Sequence, residues 1–286
     1  NEVMNVDALT YASCLANLKE VENHKSYCFE QIDIRNKNDV RGALYDYKPH
    51  YVMNLAAESH VDRSIVNPDE FIETNIKGTF SLLQACMSSW KNDFTNKMFY
   101  HISTDEVYGE LDFEDDPFDE NSPYLPRSPY SASKAASDHL VRSYFHTYGL
   151  PVLISNCSNN FGPFQFPEKL IPLTIKNILL GLNIPIYGKG NNIRDWLFVN
   201  DHCSAIFRIL LKGKKGETYN IGAKNEIKNI DLVILICDML DKKILKDKKL
   251  QLKYKNSPAS KGQKSVDLIS YVKDRAGHDK RYAINT

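Results

Sequence analysis

Met98-Phe-Tyr-His-Ile-Ser-Thr-Asp-Glu-Val-Tyr-Gly109 begins as an apolar run and ends in hydroxyls and two carboxyls; one loop later comes Tyr130-Ser-Ala-Ser-Lys134. The part from Met98 to Ser103 reads as a buried strand, and the second stretch opens a helix. Strand followed by helix brings Thr104, Asp105, Glu106, Tyr130 and Lys134 to one strand-end region. In open α/β sheets that is where ligands bind. The set holds the components of an acid, a base and a hydride-transfer partner.

Tyr130 and Lys134 stand at i, i+4, so on a helix they share a face. Ionising an ordinary phenol at pH 7 costs about 4 kcal/mol. An ammonium alongside favours the phenolate, so Lys134 is expected to lower the Tyr130 pKa and make it a general base. A tyrosine packed on a lysine stem has the same spacing. The position after the Ser-Thr-Asp-Glu strand end is what favours chemistry.

Around this centre the chain alternates short apolar runs with amphipathic stretches. Val3–Val6, Tyr27–Ile32, Tyr51–Leu55 and Val152–Ser155 read as further strands, and Val40–Tyr47, Asp69–Trp90 and Ser131–Tyr148 as helices. Asn67-Pro68-Asp69 marks a helix start and Gly149-Leu-Pro151 a helix stop. This order predicts an α/β fold, a Rossmann-like doubly wound parallel sheet covered on both faces. After Ser158 four prolines (163, 167, 172 and 185) break the pattern, with helices expected at Glu168–Leu180, Asp201–Leu211 and Ile230–Leu240. The division expected is a dinucleotide-binding domain over 1–157, with 195–222 returning to it, and a smaller substrate lobe over 158–286. The Lys-rich stretch Asp241–Lys264 reads as a solvated surface segment.

The chain has 286 residues, 42% of them hydrophobic and 25% charged, at zero formal net charge. A core of ordinary size follows, and nothing in the charge favours nucleic acid or an acidic membrane as partner. No apolar run reaches a membrane span. Six cysteines (14, 28, 86, 157, 203 and 237) are scattered without a CxxC pair, so they read as small core residues of a reducing, cytoplasmic compartment. No histidine spacing suggests a metal site. No GxGxxG or GxxGxxG run occurs either, although dinucleotide folds cradle pyrophosphate on such a turn. Asp7, at the end of the first strand, is placed to accept ribose hydroxyls or to cap a helix.

Taken together, the motifs resemble the extended short-chain dehydrogenase/reductases and, within them, the dTDP-glucose 4,6-dehydratases. The resemblance covers nearly the whole chain. It is carried by Asn5-Val-Asp-Ala-Leu-Thr-Tyr11, Asn54-Leu-Ala-Ala-Glu-Ser-His-Val-Asp-Arg-Ser64, Glu73-Thr-Asn-Ile-Lys-Gly78, the strand-end and Tyr-Lys motifs, and Asn156-Cys-Ser-Asn-Asn-Phe-Gly-Pro163. Pro167-Glu-Lys-Leu-Ile-Pro172, Pro185-Ile-Tyr-Gly-Lys-Gly190, Ile193-Arg-Asp-Trp196, Tyr219-Asn-Ile-Gly222 and Arg275-Ala-Gly-His-Asp279 complete it. Ala8 and Ala276 depart from the family's usual Lys and Pro. The resemblance also implies a glycine-rich first strand before Asn1 and a final segment after Thr286.

What the resemblance implies is NAD chemistry on a nucleoside-diphosphate glucose. Tyr130 takes the sugar O4 proton, Lys134 assists it, and Thr104 donates to the developing ketone. Glu106 removes the C5 proton, and Asp105, kept protonated, donates to the departing C6 hydroxyl. Cofactor contacts are implied for Asp7, Asp33, Ile34, Leu55, Ala56, Ala57, Asn75, Ser103, Tyr130, Lys134 and Asn156. Substrate contacts are implied for Ser59, His60, Thr104, Asn159, Lys169, Leu170, Tyr187, Arg194, Asn229, Arg275 and His278. Arg194 and Arg275 suit a pyrophosphate, which guanidinium binds bidentately. A homodimer is implied, built on the helices Asp69–Trp90 and Ser131–Tyr148. The nucleotide stays open between dTDP and UDP, since thymine and uracil differ by one methyl. A sugar-nucleotide epimerase or decarboxylase is disfavoured by the Asp105-Glu106 pair, and a non-catalytic relative is the remaining alternative.

Overall fold

The computed structural model describes residues 2–286. Its centre is β4 (Met98–Thr104), in which every residue is buried. It lies between β3 (Tyr51–Asn54) and β5 (Val152–Cys157), and β9 (Thr218–Ile221) adds to β5, giving an all-parallel order β3-β4-β5-β9. Side chains alternate across this sheet. Phe99, Val152 and Ile154 pack on one face, with Val40 and Leu44 of α1 (Lys37–Tyr47), Leu83 of α4 (Thr79–Trp90) and Val141 of α5 (Pro129–Tyr148). Met98, Tyr100 and Leu153 pack on the other, with Ile206 of α7 (Val199–Lys212). Both faces are covered, so the chain is a doubly wound α/β fold of the Rossmann type.

β1 (Val3–Asp7) and β2 (Tyr27–Gln31) form a separate parallel pair. Among the described residues β1 pairs with β2 alone and β3 with β4 alone. Val3, Tyr51 and Met53 on these strands are exposed.

The helix that carries Tyr130 is defined at both ends. Ser128 and Ser131 make a reciprocal capping box, Pro129 takes the first position, and Gly149 ends the helix at φ 69°. Short α2 (Val61–Val66) precedes the region expected as one helix over Asp69–Trp90. That region is three pieces: α3 (Asp69–Phe71), a π-helical stretch (Ile72–Gly78) and α4. At Gly78 an added Cβ would meet Ile34 Cδ1 at 2.5 Å, so the absence of a side chain lets this turn close on Ile34. π-helical turns occur mostly at functional sites, and this one carries Asn75.

A second cluster joins α6 (Leu170–Leu180), β7 (Ile184–Tyr187), α8 (Asn229–Lys246) and β11 (Ile269–Val272) through Ile178, Ile184, Ile186, Val233 and Cys237. Between the two clusters, β8 (Ile193–Phe198) pairs with β6 (Asn159–Phe161) and β10 (Glu226–Lys228). The Lys-rich stretch Asp241–Lys264 lies mostly exposed, as expected of a surface segment; it is helical there, since α8 extends to Lys246 and α9 (Lys248–Lys253) follows, and Ile244, Pro258 and Ala259 are its buried anchors. One expectation fails: not all cysteines are core residues, for Cys86 and Cys237 are buried but Cys14, Cys28 and Cys203 are exposed. Among the described residues, no helix is long and apolar enough to cross a membrane and no cluster of metal ligands occurs.

Candidate active site

The end of β4 turns directly into a one-turn 3-10 helix, Asp105–Val107, capped by Thr104, whose Oγ1 accepts from the Glu106 N–H at 3.3 Å. Gly109 closes this turn at φ 95°, where a Cβ would strike the Leu125 carbonyl. The turn leaves Asp105 fully buried and Glu106 half-buried. Burial and the neighbouring Glu106 push the Asp105 carboxyl well above its usual range. Burial also raises Glu106, against the opposing pull of Arg194, Lys169 and Arg275. The turn therefore holds one carboxyl as a strong candidate for a proton donor at neutral pH, next to a second that cations favour as the anion.

Tyr130 and Lys134 of α5 are both buried beside this turn. The Tyr130 ring meets Phe71 edge-on at 6.3 Å. Burial and the Glu106 carboxyl raise its phenol well above the ordinary value, while the Thr104 hydroxyl works in the opposite sense. The expected lowering by Lys134 is not found. Lys134 Nζ donates instead to the Ile102 carbonyl at 2.8 Å, and desolvation of the phenolate dominates.

The residues expected at a dinucleotide fall along the carboxyl ends of the parallel strands. Asp7 is exposed and accepts from the Leu9 N–H at 2.7 Å, so it turns the chain rather than capping a helix. Asp33 is engaged by Arg35, and Ile34 packs into the core below it. Leu55 is 60% exposed and Ala56 is exposed, not buried as core residues would be. Asn75 is buried and fully bonded: it exchanges hydrogen bonds with both backbone groups of Glu58, at 2.9 and 3.0 Å, and donates to Ser133 at 2.8 Å. It therefore neither caps a helix nor faces solvent. Asn156 donates to the Tyr108 and Tyr124 hydroxyls, each at 2.9 Å. Ser103 Oγ is buried without a partner. An open apolar strand end, an unsatisfied hydroxyl and a buried ammonium with donors to spare fit a dinucleotide laid across these strands.

The residues expected at the sugar nucleotide fall into two groups. Ser59, whose carbonyl accepts from Lys169 Nζ at 3.0 Å, lines a cleft of about 160 Å³ with Tyr11, Ala57, Phe166 and Lys169. Tyr187, Arg275 and His278 form the other. Arg275 and the Tyr187 hydroxyl both bind Asp62, and His278 Nδ1 lies 2.7 Å from Asp274. His60 Nδ1 is 3.9 Å from the same Asp62. Arg194 is buried, donates to the Ile193 and Asp279 carbonyls, and lies 4.2 Å over the Tyr282 ring. Asn159 and Asn229 each keep a buried side-chain oxygen without a partner. Leu170, the first residue of α6, is half-buried and packs on the second core cluster.

Three further residues enter the site without having been singled out. Asp62 organises Arg275 and Tyr187; it was visible only as part of the Ser-His-Val-Asp run. Cys157 sits at the end of β5, donating to the Ser103 carbonyl, with its thiol pushed up to about 12 by burial and by Asp105. Tyr282 donates to Asp279 at 2.5 Å, and burial and Glu106 raise its phenol. Its signal was its place just past the Arg275–Asp279 motif.

The family model described as GDP-mannose 4,6 dehydratase matches residues 1–286. A dTDP-glucose 4,6-dehydratase of Neisseria meningitidis serogroup B is 52% identical over 287 residues, covering 99% of this chain and 78% of the relative. The dTDP-glucose 4,6-dehydratase 1 of Escherichia coli is 50% identical over 300 residues, with 100% and 78% covered. Among solved structures, Streptomyces venezuelae DesIV, a dTDP-glucose 4,6-dehydratase with NAD and TYD bound, superposes at TM-score 0.86 with 40% identity, over 99% of this chain and 79% of its own. The Bacillus anthracis dTDP-glucose 4,6-dehydratase in complex with NAD gives 0.81 at 39% identity, with 99% and 79% covered. On this breadth of agreement the chain belongs to the 4,6-dehydratase family, within the extended short-chain dehydrogenase/reductases.

Proposed function

We propose that the chain is an NAD-dependent dTDP-glucose 4,6-dehydratase, a hydro-lyase that makes dTDP-4-keto-6-deoxyglucose. The observation that carries this reading is the Asp105-Glu106 pair beside Tyr130, one carboxyl buried and raised and the other half-buried. Oxidation or epimerisation at C4 needs a base for one hydroxyl, whereas loss of water across C5–C6 also needs an acid for the leaving group.

NAD, when bound, supplies the acceptor for the C4 hydride and its later return to C6. Tyr130 takes the O4 proton as the phenolate, the form that a positive nicotinamide would favour on binding against the burial and the Glu106 charge that oppose it; Thr104 donates to the oxygen as it becomes a carbonyl. The carbonyl acidifies C5–H; Glu106 removes that proton and gives it back to C5 when hydride reaches C6. Asp105 gives its proton to the C6 hydroxyl, which leaves as water. Arg275, Tyr187 and Arg194 are assigned to the nucleoside diphosphate, the two guanidiniums to its pyrophosphate and Tyr187 to its base, and Lys134 to the nicotinamide ribose. The protein is proposed to pair as a homodimer through the π-α4 and α5 helices; sedimentation as a monomer at micromolar concentration would refute that.

The deciding experiment is incubation with NAD and dTDP-glucose or, separately, UDP-glucose, with the sugar read by mass spectrometry. Loss of one water from the dTDP sugar supports the reading. Loss from UDP-glucose alone reassigns the nucleotide, and an intact sugar in both overturns the enzyme.

A further inference from the structure

We infer that Asp138 is a positioning residue for the catalytic pair: its buried carboxylate, fixed by Tyr124 and His101, keeps Lys134 an ammonium inside the protein. This rests on the role given to Lys134 above, and it concerns a residue to which that mechanism gives no part.

Tyr130, Lys134, Asp138 and Arg142 follow one another at four-residue steps along α5, so they form a ladder on one helix face. Asp138 has no exposed surface, and Lys134 is 3% exposed. Asp138 Oδ2 accepts from the Tyr124 hydroxyl at 3.0 Å. That hydroxyl itself accepts from Arg142 Nη2 at 2.7 Å and Asn156 Nδ2 at 2.9 Å. Both its lone pairs are used, and its one proton points to Asp138. Oδ1 of Asp138 lies 3.3 Å from His101 Nε2 in an off-line contact. The other ring nitrogen of His101 sits 3.2 Å from Asn54 Nδ2, which also donates to Thr79. An amide donor at Nδ1 puts the imidazole proton on Nε2, facing the carboxylate. Asp138 is thus surrounded by donors alone, which is the setting of an anion.

A buried anion needs a cation. The cations one turn to either side of Asp138 on α5 are Lys134 and Arg142. Neither makes a direct ion pair with it: Arg142 reaches it through the Tyr124 hydroxyl, and Lys134 acts on it across the buried helix face. His101, driven to about 4 by burial, stays neutral. Lys134 in turn has one acceptor, the uncharged Ile102 carbonyl. Burial lowers its pKa, with Asp138 the first opposing influence and Cys157 of β5 the second. Burial raises the Asp138 carboxyl while His101 and Lys134 lower it, and the net direction is down. The ladder is therefore a charge relay in the static sense: the carboxylate behind the lysine maintains the charge that the lysine presents to cofactor and tyrosine.

The test is direct titration of the Lys134 ammonium by NMR of 15N-lysine-labelled protein, the signal being assigned by its loss in Lys134→Met. In Asp138→Asn the midpoint is expected to fall by about 1 pH unit or more. In Arg142→Gln, which removes the competing cation, it is expected to rise. Unchanged midpoints, or shifts of the same sign in both variants, overturn the inference; if Asp138→Asn does not fold, the sign in Arg142→Gln decides. The alkaline limb of the turnover profile should move with each midpoint. An inactive parent would sink the proposed function while the lysine titration still decides the role of Asp138.

Discussion

Asp62 and Arg275, 213 residues apart, meet in a two-point ion pair, with Nε 2.5 Å from Oδ1 and Nη2 3.3 Å from Oδ2. The same carboxylate takes the Tyr187 hydroxyl at 3.0 Å. Both groups, assigned to the nucleoside diphosphate, are thus held by an internal anion from α2. A partly exposed pair of this kind is worth about 1 kcal/mol. Asp62→Asn is therefore expected to tighten dTDP binding about fivefold, measured by calorimetry; weaker binding would mean that Asp62 aligns Arg275 rather than competing for it.

The raised Tyr130 phenol sets a spectroscopic expectation. Burial and Glu106 oppose the phenolate, so without ligands the residue stays protonated through neutral pH. The difference in 295 nm absorbance between the parent and Tyr130→Phe should be flat below about pH 10. A phenolate step below pH 8 would restore the simpler picture in which Lys134 alone activates the base.

Asp105 and Glu106 trade stability for chemistry. The folded chain keeps its proton on Asp105 to higher pH than the unfolded chain does, because burial and Glu106 raise the carboxyl. Stability is accordingly lost as pH rises from the ordinary carboxylate range through the raised value. Asp105→Asn removes the loss, and Tm at pH 8 is expected to rise by about 2 °C. In the Asp105→Asn, Glu106→Gln double variant, elimination should stop while NADH absorbance from C4 oxidation remains detectable. Undiminished turnover would remove both carboxyls from the mechanism.

Asn75 tests the π-helical turn. Replacing it with Leu leaves the Glu58 N–H and carbonyl without their partner and takes from the Ser133 hydroxyl the donor it accepts, while that hydroxyl still donates to the Tyr130 carbonyl. The expected cost is about 2–4 kcal/mol, read from the urea midpoint. A loss below 1 kcal/mol would show that water replaces the amide.

The grouping of Asp105, Glu106, Tyr130 and Lys134, proposed as catalytic, was legible because its spacing is local. Asp105 and Glu106 are adjacent, and Tyr130 and Lys134 lie one helical turn apart, so chain order fixes their faces. The strand cores were equally readable, since β4 and β5 alternate their side chains between two helix layers. What was hidden depends on distant partners. The bond from Lys134 to Ile102 needs the register of β4 against α5, which no spacing contains. Asn75 looks like a surface helix residue until the π-helical turn directs it toward Glu58. The Lys-rich stretch has few apolar residues, and its anchors Ile244, Pro258 and Ala259 are too widely spaced to show a pattern. The Asp62 pairing joins segments from opposite ends of the chain.

The reciprocal cap of Ser128 and Ser131 bears on how α5 frays. Tyr130 stands in the first turn that this cap closes, whereas Lys134 lies a turn further in and is tied to the Ile102 carbonyl. Helix ends open before helix middles, so loss of the cap loosens the phenol first and leaves the ammonium in place.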